Sequence, residues 1–495
     1  MTATIRFPEA HAFRLPQIDR LAPGTVVAAI LLYVAALFVL RLSLSPFLEI
    51  DEAQFMGAVD FRLVYDNSHP PLYNWLVRVA LDLTGWRWAL AVALVKAALL
   101  AATHLFIFDA ARRLLGTGGG IVALAAAALL PQVSWMSAHT LAHSVLVMAA
   151  AAAVVNALVR IAVRPSAPAF ALLGLAAGIG AIAKFNMALL LVPLAIAIAT
   201  DPFMRERFHR TAALLAPLIG LVIATPAWIA AALDFADSTE RMEKLYRHNV
   251  FEIVDLPVLG IDGVLMLTLA ILAWGGVVLA LIAAFGETPE HQGEIATSVR
   301  RVLWRTIGIG LVLTFVFVLG SDMSAVAERY LTPLLMPLPL LAALALSSWR
   351  WRGVLVVAGA LAFVAVLFGM VGMVAFDKHR WARPYDAVGA AIAADAPDGR
   401  ITVASPVPDL AANVTLALRR AGRQAVVEGD RLAEQGPLLV LLWLGHDPLP
   451  AGEWEAPGPL CPVATLTPDP KLLNLTGRTM PVTAAIYRRG TCPAG

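Results

Sequence analysis

Residues 24–54 read GTVVAAILLYVAALFVLRLSLSPFLEIDEAQ, an apolar run that ends in three acids within four positions. About twenty apolar residues suffice for an α-helix to cross a bilayer core of roughly 30 Å. The stretch 25–44 meets that length and is longer than the apolar core of a secretory signal peptide. We therefore expect a helix that stays in the membrane, with Glu49, Asp51 and Glu52 immediately beyond its outer end.

The rest of the chain repeats this apolar pattern. Of 495 residues, 59% are hydrophobic and 15% charged, whereas a soluble domain carries about 25% charged residues. A net charge of +2 does not favour nucleic acid as a partner, and membrane lipids are the expected surroundings. We predict an all-α polytopic membrane protein with about eleven spans, near 25–44, 88–111, 118–135, 141–159, 167–183, 187–200, 211–233, 261–285, 304–320, 330–347 and 353–376.

The arginines orient these spans, because cytoplasmic loops of membrane proteins are enriched in Lys and Arg. With the N-terminus in the cytoplasm, every inside segment holds at least two arginines, such as Arg112 with Arg113. The short outside loops near 134–140, 184–186 and 321–329 hold at most one basic residue each. The composition is rich in Arg and Ala and poor in Lys, which suggests a GC-rich bacterium. A bacterial source favours an inner (plasma) membrane with the outer loops in the periplasm.

The apolar runs stop after residue 376, and 119 residues remain, from 377 to 495. Strand-like RITVAS (400–405) and PLLVLLWLG (437–445) alternate with helix-like YDAVGAAIAADAP (385–397) and DLAANVTLALRRAG (409–422). This alternation predicts a small α/β domain. We expect a membrane domain over 1–376 and a periplasmic domain over 377–495. An oxidising compartment would allow Cys461 and Cys492 to pair, and the spacing leaves this open.

The first outer loop, about 45–87, holds two stretches that can form helices along the membrane surface: DEAQFMGAVDFRLV (51–64) and PPLYNWLVRVALDL (70–83). Consecutive helical residues point about 100° apart, so Asp51 and Glu52 cannot both face one reacting atom. One acid can serve as a base while the other binds or orients. Alternatively, the acids only stabilise a helix N-terminus through its dipole.

Four segments together resemble bacterial family 39 glycosyltransferases, relatives of the protein O-mannosyltransferases and lipid A aminoarabinose transferases that share the GT-C fold. The first is DEAQ (51–54) with HPPLYNWL (69–76), which is similar to that family's first outer loop. The others, in order, are GIGAIAKFNMALLL (178–191), TPAWIA (225–230) and ERYLTPLLMPLPLL (328–341). The resemblance covers about residues 25–376.

The resemblance implies an inverting glycosyltransferase that uses a polyprenyl-phosphate-linked sugar donor on the periplasmic side. Asp51 matches the family's presumed catalytic base, and Glu52 matches its neighbour. Lipid A or lipopolysaccharide core is the favoured acceptor by analogy, with protein hydroxyls and other envelope glycans open. A secondary transporter or flippase-like protein with a periplasmic appendage is the alternative, although its charges would lie nearer mid-membrane. A non-catalytic assembly protein, and an oligosaccharyltransferase or ligase among enzymes, also stay open.

The leaving group of such a reaction is a lipid phosphate, so cations are expected around it. Lys184 is the first candidate, with a snorkelling helix cap as its structural alternative. The further candidates for binding donor sugar or phosphate are Arg329, Tyr330, His69 and the loop residues Arg241 and Lys244, with Arg247 and His248 beside them. A turn cap is the alternative for His69, and a solvated loop face is the alternative for the loop residues.

A metal site is the last candidate. His143 stands where many relatives carry an acid, which puts a second acidic catalytic or metal-binding site in doubt. His139 and His143 are four positions apart and would share one face of a helix. Two histidines are too few for a site by themselves. No cofactor follows from the sequence, and a divalent cation stays open.

Overall fold

A computed structural model describes residues 18–65, 70–235, 261–286, 293–321, 326–349, 351–376, 379–430, 432–448, 458–472, 474–490 and 492. The α-helices are α1 Pro23–Leu44, α2 Ile50–Ala53, α3 Leu72–Thr84, α4 Trp88–Ala128, α5 Ser137–His139, α6 His143–Val163, α7 Ala167–Ala181, α8 Ala188–Thr200, α9 Pro202–Phe208, α10 Leu215–Leu233, α11 Ile261–Phe285, α12 Glu294–Gly320, α13 Thr332–Leu335, α14 Leu338–Leu346, α15 Arg352–Ala375, α16 Tyr385–Asp395 and α17 Pro408–Arg420. The strands are β1 Ile401–Ala404, β2 Ala425–Val427, β3 Leu438–Leu444, β4 Leu460–Leu466 and β5 Val482–Arg489. The predicted class, a helical membrane protein with a small C-terminal sheet, is confirmed.

Seven helices in the described part of the chain are long and apolar enough to cross a membrane, or up to nine if two bent pairs each form one span. The bent pairs are Phe185–Thr200 with Pro202–Phe208, at 103°, and Glu328–Leu335 with Leu338–Leu346, at 56°. Every predicted span overlaps a helix, but α7 has only 15 residues and α4 covers two predicted spans. The number eleven therefore stays a prediction.

Helix α4 runs for 41 residues but is not continuous. At about 1.5 Å per residue a straight helix of this length would be roughly twice as long as a bilayer core is thick. Gly116 interrupts it with φ 73° and ψ −175°, a backbone conformation that side chains with a Cβ rarely adopt. The kink lies between the predicted spans 88–111 and 118–135, directly after Arg112 and Arg113.

The folded chain forms two compact units. The first unit comprises Met1–Ala35, Arg62–Tyr73 and Lys96–Val366. The second unit comprises Ala36–Phe61, Asn74–Val95 and Leu367–Gly495. The C-terminal residues therefore fold with part of the first outer loop, whereas the division after residue 376 stays a prediction of domain organisation.

Within the first unit, small residues bring α7 and α10 into close contact. A methyl group added at Gly174 would lie 2.5 Å from the carbonyl oxygen of Ala216, and one at Gly178 would lie 2.8 Å from Cβ of Ile223. Glycine, alanine and serine at such spacings allow membrane helices to approach backbone to backbone. This packing fixes the end of α7, which leads into the turn that carries Lys184.

The second unit contains a mixed five-stranded sheet in the order β2-β1-β3-β5-β4. Strand β1 is parallel to β2 and β3, and β5 is antiparallel to β3 and β4. Helices α16 and α17 pack on this sheet around a buried core that also contains Phe47 of the first outer loop. The Phe47 and Tyr385 rings lie 5.0 Å apart, edge to face. Cys461 and Cys492 form a disulfide.

The two helices expected in the first outer loop form to different extents. The amphipathic α3 begins at Leu72, directly after the two prolines, as predicted. The stretch 51–64 is not a long helix, because α2 ends after four residues and turns follow. Tertiary contacts replace helical hydrogen bonds there: Asn74 Nδ2 donates to the carbonyl oxygen of Ala58 at 2.6 Å.

Candidate functional site

The acidic segment of the first outer loop belongs to the second unit and begins with a capping box. The Glu49 side chain accepts a hydrogen bond from Ile50 N, and Glu52 Oε2 accepts from Glu49 N at 3.0 Å. This reciprocal arrangement satisfies backbone donors that the first turn of a helix leaves without partners. Two of the three acids are thereby oriented by the start of α2.

Glu52 is buried and ion-paired. Its Oε2 lies 3.2 Å from Arg41 Nη2, and its side chain is 1% exposed. The Arg41 guanidinium also donates to the carbonyl oxygens of Ser45 and Phe47, at 2.7 and 2.6 Å, and lies 4.4 Å from the Trp381 ring centroid. These contacts tie the end of α1 to the start of α2. They favour a structural part for Glu52, whose catalytic role stays a prediction.

Asp51 differs from both of its acidic neighbours. It is half-buried, and its carboxylate makes no hydrogen bond or ion pair with any residue in the described part of the chain. Glu49 and Glu52 are engaged on either side, so among the described residues Asp51 is the acid of this segment whose oxygens accept no hydrogen bond. A carboxylate in that condition can accept a proton from a hydroxyl group.

Glu49 connects the acidic segment to the residues after α15. Its Oε1 lies 3.2 Å from Arg380 Nη1 and 3.5 Å from His379 Nε2. Arg380 Nε in turn lies 2.9 Å from Asp409 Oδ2, which is fully buried and also accepts from Arg383 and Tyr385. Burial raises the pKa of Glu49, and the Arg380 charge opposes that rise.

The Asn413 side chain, on α17, clamps the same segment by two hydrogen bonds to the backbone of Leu48. Its Oδ1 accepts from Leu48 N at 2.7 Å, and its Nδ2 donates to Leu48 O at 2.9 Å. Asn413 is fully buried, so this sequon asparagine is not exposed for modification in the folded chain. The side-chain amide mimics a strand partner for one residue and fixes the chain three positions before Asp51.

The first unit contains a separate cluster around Lys184, in the turn 182–187 between α7 and α8. Lys184 Nζ donates to Ser144 Oγ at 2.8 Å and lies 5.8 Å from the Tyr330 ring centroid. Asn186 Nδ2 donates to Tyr330 O at 2.8 Å, while Asn186 Oδ1 is buried without a hydrogen-bond partner in the described residues. Three of the predicted donor-binding positions, Lys184, Arg329 and Tyr330, are therefore adjacent.

Two cationic side chains lie near Tyr330, and one of them also contacts the start of α6. Ser144 lies in the first turn of the 21-residue helix α6, where backbone N–H groups point outward and the helix dipole is positive. The Arg329 guanidinium lies 5.9 Å from the Tyr330 ring centroid. It is half-buried and makes no hydrogen bond or ion pair among the described residues. Lys184 and Arg329 thus each lie within 6 Å of the Tyr330 ring centroid, and Lys184 also contacts the start of α6. Cationic side chains and helix N-termini are groups that bind anions such as phosphate.

Two more of the quoted sequence motifs reach the Lys184 turn. Trp228 Nε1, in the TPAWIA segment, donates to Ala181 O at 3.2 Å, and its ring meets that of Phe185 edge to face at 5.7 Å. Leu72 N, from HPPLYNWL, donates to Ile182 O at 3.2 Å. Segments that are distant in sequence therefore meet at this turn.

The two histidines do not lie on one helix, contrary to expectation. Helix α5 ends at His139 and α6 begins at His143, with an irregular backbone between them. The His139 ring packs on Trp135 at 4.6 Å, and the His143 ring packs on Tyr73 at 4.9 Å. Among the residues with described positions, no three His, Cys, Asp or Glu side chains form a group that could hold a metal ion.

Several predicted site residues lie outside the described part of the chain. They are His69, Arg241, Lys244, Arg247 and His248. Sequence reasoning also missed Arg41, Ser144 and Asn413. Arg41 was detectable, because a charge inside an apolar run is costly unless it has a partner. Ser144 and Asn413 carry no such signal.

Residues 68–229 match the family described as dolichyl-phosphate-mannose-protein mannosyltransferase, and this region includes Lys184 and Trp228. Two similar proteins are lipopolysaccharide core galacturonosyltransferases of Rhizobium johnstonii. RgtA is 31% identical over 70% of this chain and 71% of its own length. RgtB is 28% identical over 71% of this chain and 74% of its own length.

Solved structures show the same fold at lower identity. The crystal structure of ArnT from Cupriavidus metallidurans bound to undecaprenyl phosphate superposes with a TM-score of 0.56 at 14% identity, covering 94% of this chain and 98% of that one. The arabinofuranosyltransferase AftD from mycobacteria superposes with a TM-score of 0.51 at 17% identity, covering 96% of this chain and 40% of that one.

Proposed function

The chain belongs to the dolichyl-phosphate-mannose-protein mannosyltransferase family, and from this membership we propose that it transfers a sugar from a polyprenyl-phosphate carrier to lipopolysaccharide core or lipid A. Membership of a glycosyltransferase family removes the transporter alternative. The names of RgtA and RgtB support the lipopolysaccharide acceptor, and the lipid bound by ArnT supports the carrier.

We assign each proposed residue one role in the reaction. Lys184 and Arg329 bind the donor phosphate, and Asn186 Oδ1 accepts from a sugar hydroxyl. Asp51 takes the proton of the acceptor hydroxyl as its oxygen attacks the anomeric carbon. The new carbon–oxygen bond forms as the bond to the phosphate breaks, and the electron pair leaves with the phosphate. Attack from the face opposite the leaving group inverts the anomeric centre once.

The observation that carries this proposal is that Lys184 and Arg329 both lie within 6 Å of the Tyr330 ring centroid, with Lys184 hydrogen-bonded to Ser144 in the first turn of α6. A phosphate leaving group gains negative charge as its bond to the sugar breaks. Fixed positive groups stabilise that charge without reorganisation. An ordinary helix cap would need only Lys184, and it would not explain the half-buried guanidinium of Arg329.

Mass spectrometry of envelope glycolipids from a deletion strain tests the proposal. We expect one sugar to be missing from the core or lipid A region, and its mass identifies both donor sugar and acceptor. Complementation with the wild-type gene restores the sugar, and complementation with Asp51→Asn does not. A glycolipid profile identical to that of the parent strain, with a change in glycosylated proteins instead, would contradict the acceptor assignment.

We also propose a cytoplasmic N-terminus and a periplasmic C-terminal region in a bacterial inner membrane. A reporter active only outside the cytoplasm is expected to give signal when fused after Phe376. Fusions after Arg113 and Arg210 are expected to report the cytoplasm. Cytoplasmic signal from the fusion after Phe376 would reverse the orientation and place Asp51 on the wrong side for periplasmic transfer.

A further inference from the structure

A second charged cluster lies in the first unit, on α4 and α6, and contains none of the residues assigned to the reaction. Asp109 is its centre. Its Oδ1 accepts from Arg112 Nη2 at 2.7 Å, and its Oδ2 accepts from Arg113 Nε and Arg160 Nη2, both at 2.7 Å. Asn156 Nδ2 also donates to Oδ2, at 3.1 Å. These bonds hold α4 and α6 together.

The charges of this cluster do not balance. Three guanidinium groups contribute +3 and one carboxylate contributes −1, which leaves +2. Arg112 uses only Nη2, and Arg160 uses Nε and Nη2. Their remaining N–H groups have no acceptor in the part of the chain that the structure describes. Both side chains are about one-third exposed, at 35% and 36%, so those donors are accessible.

A cleft of about 320 Å³ opens beside these donors, between the start of α1 and α4. Arg112, Arg160 and Asp109 line its polar end. Its remaining wall is mainly apolar and is formed by Pro23, Gly24, Val27, Leu105, Phe106 and Phe108. One cavity therefore combines unused guanidinium donors with a surface suited to hydrocarbon.

We propose that this cleft binds an anionic membrane phospholipid. The phosphate lies against Arg112 and Arg160, whose planar forks match the geometry of two phosphate oxygens. The glycerol backbone and the first methylenes of an acyl chain lie along Val27, Leu105 and Phe106. Free phosphate would leave the apolar wall in contact with water, and a zwitterionic lipid would not neutralise the excess charge.

The position along the chain supports a lipid rather than a soluble ligand. The cluster is at the ends of predicted spans and on the side that the arginine pattern assigns to the cytoplasm. Anionic headgroups give that membrane surface a negative potential, and basic pockets between membrane helices bind them. Each arginine beside such a headgroup contributes about fivefold in affinity, so the two together contribute about thirtyfold.

The test is native mass spectrometry of the purified full-length protein, titrated with phosphatidylglycerol, phosphatidylcholine, polyprenyl phosphate and inorganic phosphate. We expect one tightly retained phosphatidylglycerol and much weaker retention of phosphatidylcholine. The double variant Arg112→Gln/Arg160→Gln is expected to lose about thirtyfold in affinity. Arg113→Gln is the matched control, because it removes one charge from the same cluster at a residue that does not line the cleft.

A second variant separates binding from damage to the ion cluster. Gly24→Leu adds a side chain inside the apolar part of the cleft and leaves every charge in place, since open space surrounds Gly24. It is expected to lower phosphatidylglycerol retention at least fivefold with an unchanged melting temperature. The proposal would be overturned if the wild type and both variants retained phosphatidylglycerol equally, or if the wild type retained phosphatidylcholine as well as phosphatidylglycerol. It would also be overturned if inorganic phosphate displaced phosphatidylglycerol completely, or if the protein preferred polyprenyl phosphate.

Discussion

The acidic segment around Asp51 and the basic turn around Lys184 are built in opposite ways. In the acidic segment, Glu49 and Glu52 are buried and paired with arginines, and only Asp51 lacks such a partner among the described residues. In the basic turn, the half-buried Lys184 donates to Ser144 at the start of α6, and it shares the Tyr330 ring with the half-buried Arg329. The first arrangement fixes a backbone so that one carboxylate is presented. The second arrangement places two cations beside one tyrosine ring, and we propose that they bind the donor phosphate.

This difference predicts separate kinetic effects. We expect changes in the acidic segment to alter the rate of the chemical step, because they affect the proposed proton acceptor or its position. Changes in the basic turn alter donor affinity, because they affect phosphate binding before and after reaction. Kinetics of purified variants with a defined donor therefore test whether the two regions act on different steps of the reaction.

The largest effect is expected for Asp51→Asn. The amide keeps the size of the side chain and removes the proton acceptor, and a general base contributes about 10²–10⁴-fold to rate. We expect kcat to fall by at least about 10²-fold, with the donor KM nearly unchanged. The measurement is turnover by purified enzyme with matched circular dichroism spectra.

Glu52→Gln is the comparison for this variant. The glutamine can still accept from Glu49 N but loses the buried pair with Arg41, so thermal stability is expected to fall more than turnover. A normal kcat for Asp51→Asn, together with a collapse of kcat for a folded Glu52→Gln, would transfer the catalytic role to Glu52.

The second effect is a rise in donor KM for Lys184→Ala. A hydrogen bond to a charged group contributes about 1.5–3 kcal/mol, which corresponds to roughly tenfold to hundredfold in affinity. Lys184→Arg is expected to retain part of the binding because it keeps a positive charge. Titration of the donor at saturating acceptor measures both variants. An unchanged donor KM in a folded Lys184→Ala enzyme would reduce Lys184 to a helix cap.

A smaller effect is expected from Asn413→Ala, which acts on Asp51 through the backbone. It leaves the N–H and carbonyl groups of Leu48 without partners, at a cost of about 1–3 kcal/mol in the free energy of unfolding. We expect kcat to fall about tenfold while the donor KM stays constant, because the basic turn is untouched. Asn474→Ala, at the second sequon, is the control: Asn474 is half-buried and its Oδ1 accepts only from Thr476, two positions on, so neither kcat nor the donor KM should change.

The smallest effect concerns pH and Glu49. Because its pKa is raised above the ordinary 4.5, the folded state binds this proton more tightly than the unfolded state. The contribution of Glu49 to the free energy of unfolding therefore decreases as pH rises from its ordinary pKa through its raised pKa. Glu49→Gln should remove this decrease, as measured by thermal unfolding in detergent across acidic to neutral pH. A steeper decrease in the variant would show that the Arg380 pair, not burial, dominates.

Sequence patterns predicted the helical membrane class, the start of α3 and the α/β character of the C-terminal residues, because apolar runs and strand–helix alternation are local signals. The adjacency of Lys184, Arg329 and Tyr330 came from family resemblance rather than from spacing. The short length of α2 could not be predicted, since Glu49 and Glu52 satisfy its first turn and tertiary contacts end it. In the sequence, Asn413 is recognisable only as part of a sequon, because no local pattern marks a side chain that hydrogen-bonds to a backbone 365 positions away.

The Asn413 clamp also has a consequence for biosynthesis. A ribosome adds about 5–20 residues per second, so Leu48 emerges roughly 20–70 s before its hydrogen-bond partner. During that interval the start of the acidic segment lacks the side chain that later fixes it, although α1 is already complete. A nascent or prematurely terminated chain would insert its first helices and still lack the fixed Leu48 backbone near Asp51. The Leu48 backbone before Asp51 is therefore held in place only after α17 has been translated.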